Sequence, residues 1–160
     1  MLGIHEVYKR IGPVNLTPIL SVLDQLPFVD ICVGSIDPRH PYCAVVVPGT
    51  KLPDAVSHFV QSLGLGGTPH RYFFRKLYPG CGILPHADDW IPADAHIRRF
   101  QVPLVSHPDI LMRWPTDGIE VYLEPGWFYE VRYDRLHEVV NPTQSERIHL
   151  QIDQVNATIE

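Results

Sequence analysis

The sequence WFYEVRYDRLHEVVNPTQSERIHLQI (residues 127–152) contains three short runs of aromatic, β-branched and other apolar residues. Asp134 separates the first run from the second, and Asn141 with Pro142 separates the second run from the third. Runs of this length and composition, bounded by turn-forming residues, are typical of β-strands. The stretch therefore predicts three consecutive strands joined by turns, and it favours a fold made mainly of β-sheet.

The same pattern begins at Arg71 and continues up to this stretch. Short strands separated by regular turn signals are typical of a sandwich or barrel. Two hairpins are predicted, one that turns at residues 106–109 and one that turns at residues 124–126, because Pro and Gly favour tight turns there. The four additional strand candidates are RYFFRKLY (71–78), IRRFQVPLV (97–105), ILMRW (110–114) and IEVYL (119–123).

The chain before Arg71 favours helices. Thr17 suits an N-cap and Pro18 suits the first helical position, so residues 17–26 are predicted to be a helix. In residues 53–63 the apolar side chains recur on one helical face, which predicts a second helix. Residues 43–47, CAVVV, predict a buried strand between the two. We expect the helices to cover the outer face of one sheet.

Composition and charge exclude several classes of protein. The net charge is −5 and there is no long basic run, so we do not expect a nucleic-acid partner. No apolar stretch is long enough to span a bilayer, and the first ten residues lack the pattern of a secretory signal. The three cysteines are odd in number and not paired by spacing, which predicts a reduced, cytoplasmic protein. Nothing in the sequence indicates an oligomeric state.

Two His-x-Asp triplets are candidate metal ligands. His86 and Asp88 follow a strand and a glycine-rich bend, and residues at i and i+2 in extended chain project to the same side. Both side chains would then reach one ion, although a loop histidine and a capping aspartate would give the same pattern. His107 and Asp109 fall in a predicted tight turn around a proline, so we interpret them as structural.

His137 and Arg147 lie on the last two predicted strands. A lone histidine in an apolar strand is commonly a core residue, and a buried arginine needs a carboxylate partner such as Glu138 or Glu146. The alternative is functional. Two histidines and one carboxylate form the facial triad of non-haem Fe(II) oxygenases. An arginine on an adjacent strand would anchor a dicarboxylate through a bidentate contact.

Two segments, LYPGCGILPHADD (77–89) and LHEVVNPTQSERIHLQID (136–153), resemble the aspartyl/asparaginyl β-hydroxylase branch of the 2-oxoglutarate oxygenases. The shared elements are a Pro-Gly bend ahead of the metal histidine, the Pro-His pair, an Ile-Arg-Arg strand, and His-Glu-Val followed by an asparagine and an arginine. The resemblance covers residues 73–153, about half of the chain, and does not extend to the N-terminal third.

This resemblance implies a double-stranded β-helix, the cupin-like jelly roll. It makes residues 1–160 one oxygenase domain, in which residues 1–70 support a β-helix core at 71–155. It implies hydroxylation of an unactivated C–H bond in a small molecule or peptide, with Fe(II), 2-oxoglutarate and O2 consumed to give succinate and CO2. His86 and His137 would be the catalytic iron ligands, and Arg147 and Arg99 would bind the cosubstrate.

Three positions depart from the best-known relatives. Asp88 stands where they have glycine, so this chain keeps a third protein ligand and a metal triad of His86, Asp88 and His137. Arg75 replaces a small hydroxyl residue at the cosubstrate, and we therefore assign it to cosubstrate binding. Gln101 replaces a histidine. Trp90, Arg98 and Gln101 are the candidate substrate contacts.

Two other classes of function remain open from the residues alone. One is a cupin-type metal enzyme that does not use 2-oxoglutarate, and the other is a non-catalytic binding module with structural histidines. Arg147 discriminates between the first alternative and the oxygenase, because such a metal enzyme has no need of this arginine. The binding module instead predicts a protein that purifies without metal and folds normally when His86 and His137 are both replaced.

Overall fold

A computed structural model describes residues 2–3, 5–31, 43–47, 49–89, 91–92 and 95–160. The described chain is mainly β-structure. Its strands are β1 (Tyr8–Pro13), β2 (Val29–Ile31), β3 (Cys43–Val45), β4 (Thr68–Leu77), β5 (Gly82–His86), β6 (Ile97–Val105), β7 (Leu111–Trp114), β8 (Ile119–Val121), β9 (Trp127–Val131), β10 (His137–Val140) and β11 (Arg147–Val155). Its α-helices are α1 (Thr17–Leu20) and α2 (Asp54–Ser62).

The strands form two sheets. A seven-stranded sheet has the order β1-β9-β6-β11-β4-β3-β2, and a four-stranded sheet has the order β5-β10-β7-β8. Neighbouring strands are antiparallel throughout both sheets. Strand β11 is the centre of the larger sheet and pairs along its whole length with β4 on one side and β6 on the other. The predicted double-stranded β-helix is confirmed.

The N-terminal helices pack on the outer face of the larger sheet. Helix α2 buries Val56, Phe59 and Val60, which are spaced i, i+3 and i+4 and so lie on one face. They pack in one apolar cluster with Ile19 of α1 and with side chains of β4, β6 and β11. Each buried side chain of this size contributes about 1.5–3 kcal/mol. The predicted cover is therefore confirmed, and no helix in the described ranges is long and apolar enough to cross a membrane.

The first helix is shorter than predicted. It ends at Leu20, its N-cap is Leu16 rather than Thr17, and a separate 3-10 turn follows at Leu23–Gln25. The Ser21 hydroxyl donates to the carbonyl of Pro18 at 2.8 Å. Such side-chain contacts with the backbone compete with a continuing helix, and the helix buries little besides Ile19.

Both predicted hairpins are wrong. The turn at residues 106–109 exists, and the amide of Ile110 donates to the carbonyl of His107 at 2.8 Å. However, β6 belongs to the larger sheet and β7 to the smaller one, and β8 and β9 are separated in the same way. Both edges of β6 are already occupied by β9 and β11. The chain therefore crosses between the sheets where local turn signals predict that it folds back.

Strand β11 divides apolar and polar side chains between its two faces. Ile148, Leu150 and Ile152 belong to the apolar cluster under the helices. The alternate residues point toward the smaller sheet and are also buried. They are Arg147, His149, Gln151 and Asp153. Because strand side chains alternate, one strand thus supplies both an apolar core and a polar interior surface.

The central strand makes a direct stability prediction. Leu150 is fully buried, so Leu150→Ala should lower the free energy of unfolding by about 2–5 kcal/mol. Leu84 on β5 is 46% exposed, and Leu84→Ala is the matched control, with an expected change within about 0.5 kcal/mol. Urea unfolding of the two variants measures the difference. Equal losses would contradict the assignment of β11 as the centre of the core.

Candidate active site

Two histidines lie beside each other on neighbouring strands of the smaller sheet. His86 ends β5, His137 begins β10, and the two are paired in the strand register. Their ring centroids are 4.5 Å apart. An irregularity in the register after His137 shifts the pairing there, as β-bulges near functional sites do. Strand pairing therefore fixes the separation of the two imidazoles.

Backbone carbonyls set which ring nitrogens are free. Nδ1 of His86 lies 2.8 Å from the carbonyl of Leu84, and Nδ1 of His137 lies 2.7 Å from the carbonyl of Arg135. A carbonyl only accepts, so each Nδ1 carries a proton, and in the neutral form of each ring Nε2 keeps the lone pair. Burial lowers the pKa of His137 and favours its neutral form. Both rings are thus prepared as metal ligands.

Asp88 completes a group of three possible ligands. Its amide donates to the carbonyl of Tyr133 at 2.8 Å, which holds the loop after β5 against the end of β9. Ligand atoms of Asp88, His86 and His137 all lie within 4.8 Å of one another. Oδ1 of Asp88 is 3.6 Å from Nε2 of His86. Two imidazoles and one carboxylate are the donor set that suits Fe(II), and the geometry fits a single ion.

The second oxygen of Asp88 is held by a buried ion-pair network. Nη1 of Arg99 donates to Oδ2 of Asp88, while Nε and Nη2 of Arg99 donate to Asp153 at 2.7 and 3.0 Å. Arg71 also donates to Asp153, at 2.9 Å. Burial acts to raise the pKa of Asp88, but the charge and hydrogen bond of Arg99 outweigh it and the pKa falls. Asp88 is therefore ionised, with Oδ1 left toward the histidines.

Arg147 is buried and, among the described residues, has no hydrogen-bond or ion-pair partner. Burial, and then the charge of Arg75, lower its pKa to about 9. The protein acids suggested by the sequence lie elsewhere, since Glu146 pairs with Lys76 and Glu138 with Arg113. Burying an unpaired charge is costly. An anionic ligand beside Arg147 would offset this cost.

Arg75 lies close to Arg147 and is similarly without an ion pair in the described ranges. Its Nε is buried and has no hydrogen-bond partner. Burial lowers its pKa. Two neighbouring guanidinium groups repel each other. An anion bound between them would offset both this repulsion and the free-energy cost of burying the two charges.

One cavity of about 420 Å³ between the sheets joins these groups. It brings the histidine–aspartate cluster together with the predicted cosubstrate residues, although His137 and Arg147 were expected on adjacent strands. They instead lie on opposite sheets, because β10 and β11 do not pair. The polar lining consists of Arg71, Arg75, His86, Asp88, Arg99, Gln101, Arg132, Tyr133, His137, Arg147, His149 and Gln151.

The aspartyl/asparaginyl beta-hydroxylase family model matches residues 48–157 of this sequence, which is more than two thirds of the chain. The chain belongs to that family. The family prediction, and with it the prediction of a hydroxylase, is confirmed. The match begins about 25 residues earlier than the resemblance visible in the motifs, so it also includes α2 and the first half of β4.

Solved structures share the fold of this hydroxylase-family chain at low sequence identity. A 2OG-Fe(II) oxygenase family oxidoreductase from Burkholderia pseudomallei gives a TM-score of 0.68 at 15% identity, over 88% of this chain and 78% of that one. A prolyl-4-hydroxylase from Pseudomonas putida gives 0.62 at 16% identity, over 93% and 92%. The viral collagen prolyl hydroxylase of Paramecium bursaria Chlorella virus-1 gives 0.61 at 13% identity, over 96% and 100%. Curated protein sequences give no match.

Two of the candidate substrate residues of this family member, Gln101 and Arg98, line different cavities. Gln101 lines the cavity and lies 3.2 Å from both Gln151 and His149. Arg98 lines a neighbouring cavity, and its guanidinium donates to Glu130 and to the carbonyls of Ala157 and Ile159. Those contacts tie the C-terminal segment to β6. Trp90 lies outside the described residues.

Some residues of the site were not predicted from the sequence. Asp153, His149 and Gln151 all come from the inner face of β11, and Arg71 comes from β4. A signal was present, because Arg147, His149, Gln151 and Asp153 recur at every second position of one strand. By contrast, His107 stays in its exposed turn, where Nδ1 accepts from the amide of Asp109 at 3.2 Å.

The ion-pair network makes the second prediction. Asp153→Asn should destabilise the fold by about 3–5 kcal/mol, because Arg99 would stay buried, and Arg71 half-buried, beside a neutral amide. Asp109→Asn is the control, since its side chain is 74% exposed and a change within about 0.5 kcal/mol is expected. Urea unfolding of both variants measures the effect. If the Asp153→Asn protein is as stable as the control, the carboxylate of Asp153 does not make this contribution to the stability of the fold.

Proposed function

We propose that this chain is a dioxygenase that hydroxylates an unactivated C–H bond with Fe(II), 2-oxoglutarate and O2. The observation that carries the proposal is one cavity holding both a His-His-Asp cluster and a buried arginine without a protein partner. The cluster supplies ligand atoms for a metal, and the arginine supplies a positive charge for an anion. A 2-oxoglutarate oxygenase needs both features in one site.

His86, Asp88 and His137 would hold the iron. The bound iron with 2-oxoglutarate and O2 supplies the oxidation that inserts one oxygen atom into the substrate, with succinate and CO2 as coproducts. The protein's own part is orientation, charge and exclusion of water. The carbonyls of Leu84 and Arg135 accept from Nδ1 of the two rings, which in the neutral imidazoles leaves the lone pair on Nε2 for a metal. Arg99 turns Oδ1 of Asp88 toward them.

Arg147 would neutralise the far carboxylate of 2-oxoglutarate, with Arg75 beside it. Arg75, Arg99 and Arg147 line the cavity, whereas in the part of the chain that the structure describes Asp88 and Asp153 are the carboxylates in contact with these three arginines. This excess of positive charge supports a dianionic cosubstrate. Arg99 is already bonded to both carboxylates, so its predicted contact with the cosubstrate would add to those bonds.

The two alternative functions explain less of the site. A cupin-type metal enzyme without a 2-oxo acid has no use for Arg147 and Arg75 in their unpaired state. A binding module with structural histidines does not account for two Nε2 atoms left free beside an ionised aspartate. The anion subsite therefore favours the oxygenase over both.

We further propose an amino acid or a peptide side chain as the substrate. The family name and the prolyl hydroxylases among its structural neighbours support this class. A second cavity of about 640 Å³ shares Asp88, Arg99, Arg132 and Tyr133 with the first, so it would be the route by which substrate reaches the iron. Trp90, Arg98 and Gln101 stay predicted substrate contacts.

The remaining parts of the proposal concern the chain as a whole. We treat residues 1–160 as one oxygenase domain, in which β1, β2 and β3 extend the sheet formed by the core at 71–155. A cytoplasmic location is supported by the three cysteines, which are odd in number and not paired by spacing, and the acidic net charge of −5 argues against nucleic acid as a partner.

Anaerobic titration with Fe(II) and 2-oxoglutarate tests the function. The wild-type protein should take up one iron and develop the visible charge-transfer band of a chelated 2-oxo acid. His137→Ala removes a buried ligand and should abolish both, whereas His107→Ala, in an exposed turn, should change neither. A His137→Ala protein that still binds one iron and shows the band would overturn the metal assignment.

Arg147→Gln separates cosubstrate binding from metal binding. A lost charge-assisted hydrogen bond costs about 1.5–3 kcal/mol, which corresponds to about 10-fold to 150-fold weaker 2-oxoglutarate binding. Iron affinity should stay near the wild-type value, because Arg147 is not among the grouped ligands. Arg113→Gln, which removes a more exposed ion pair with Glu120, is the control. Unchanged affinity for 2-oxoglutarate in Arg147→Gln would exclude this arginine from the site.

A further inference from the structure

His149 is a buried cavity residue whose role neither the motifs nor the proposed iron site explains. It follows Arg147 by two positions on β11, so both side chains lie on the inner face. Its Nε2 atom is buried and has no hydrogen-bond partner within the described ranges. Burial, and then the charge of Arg147, lower its pKa well below the ordinary value. The ring is therefore neutral and carries its single proton on one nitrogen.

A chain of hydrogen bonds from Arg99 decides which nitrogen that is. Arg99 has only donors, so the amide of Gln151 must turn its oxygen toward Arg99, where it accepts from Nε and Nη2 at 3.0 and 3.2 Å. The opposite orientation would set the Gln151 nitrogen against two donors. A half-turn of the amide exchanges oxygen and nitrogen without moving any other group.

The orientation of Gln151 determines the orientation of Gln101 and, through it, the position of the proton on His149. The Gln151 nitrogen now faces the amide of Gln101 at 3.2 Å, so Gln101 must offer its oxygen there. The Gln101 nitrogen is then the atom that faces Nδ1 of His149, also at 3.2 Å. Because an amide nitrogen only donates, Nδ1 must accept. The proton of His149 is therefore on Nε2.

The inner end of the cavity thus contains donors from three side chains and, among the described residues, no acceptor for them. These donors are Nε2–H of His149, Nε–H of Arg75 and the guanidinium of Arg147. A buried donor left without an acceptor costs about 1–3 kcal/mol. Donors of this number beside two positive charges match the lone pairs of a carboxylate.

We propose that His149 is a further cosubstrate-binding residue, whose Nε2–H donates to the same carboxylate that Arg147 neutralises. The assignment rests on the proposed function for the identity of the ligand. It rests on the hydrogen-bond chain Arg99–Gln151–Gln101–His149 for the direction of the proton. The chain starts at the guanidinium that orients Asp88, so one network prepares the metal end and the carboxylate end of the cavity.

The first test reads the tautomer directly and requires no ligand. Protein labelled with ¹⁵N in its histidines is examined by long-range ¹H–¹⁵N correlation NMR in the metal-free state, and the His149 signals are assigned by their loss in His149→Gln. The expected pattern is that of a neutral ring protonated on Nε2. A ring protonated on Nδ1 would overturn the proposal, whatever the protein binds.

The second test uses a matched pair of variants. The amide nitrogen of glutamine in His149→Gln reaches the position of Nε2 and keeps a donor there. Asparagine in His149→Asn ends near Nδ1 and leaves no donor at the Nε2 position. Dissociation constants are measured on anaerobic Fe(II)-loaded protein for 2-oxoglutarate and for 2-oxopentanoate, which has a methyl group in place of the far carboxylate.

His149→Asn should bind 2-oxoglutarate about 10-fold more weakly and 2-oxopentanoate as well as the wild type does, while His149→Gln should stay within about 3-fold for both. Equal weakening for both 2-oxo acids would mean a merely structural role and would overturn the proposal. If His149→Asn does not fold, the tautomer decides alone. Wild-type protein that binds neither 2-oxo acid would instead refute the proposed function, which keeps the two failures distinct.

Discussion

The buried carboxylate of Asp153 is the contact on which the interior of this protein depends. It accepts from Arg71 and from two nitrogens of Arg99, and it has no exposure to solvent. With Arg99 fixed in this way, the third guanidinium nitrogen reaches Asp88, and the two nitrogens that contact Asp153 also determine the orientation of Gln151. One ion pair therefore orders groups at both ends of the cavity, and it is retained despite the cost of removing three charges from water.

The fold makes this arrangement possible because β11 is covered on both faces. One face contributes Leu150 and its neighbours to the apolar cluster under α2, which holds the strand rigid. The other face presents Arg147, His149, Gln151 and Asp153 at intervals of two residues, all toward the smaller sheet. The smaller sheet contributes His86 and His137 to the same cavity. Functional groups held on paired strands have less freedom than groups on loops, and here Asp88 alone of the proposed ligands lies beyond a strand end.

Local signals in the sequence were enough for much of this structure, and their limits have a physical origin. Turn residues and β-branched runs predicted most strands, and the spacing around His86 and Arg147 predicted the family. The hairpins failed because a turn specifies a change of direction but not the partner of the next strand. Asp153 was missed for a related reason, since its role depends on β4 and β6 lying on either side of β11.

The alternation of successive strands between the two sheets has a consequence for folding. His86 and His137 are 51 positions apart, and Arg99 lies 54 positions from Asp153, so these two contacts of the site join distant parts of the chain. Such contacts form only after the entropy of closing long loops has been overcome, and proteins dominated by them fold slowly. A nascent or partly folded chain therefore exposes its histidines singly, and a complete iron-binding geometry arises only when the barrel closes.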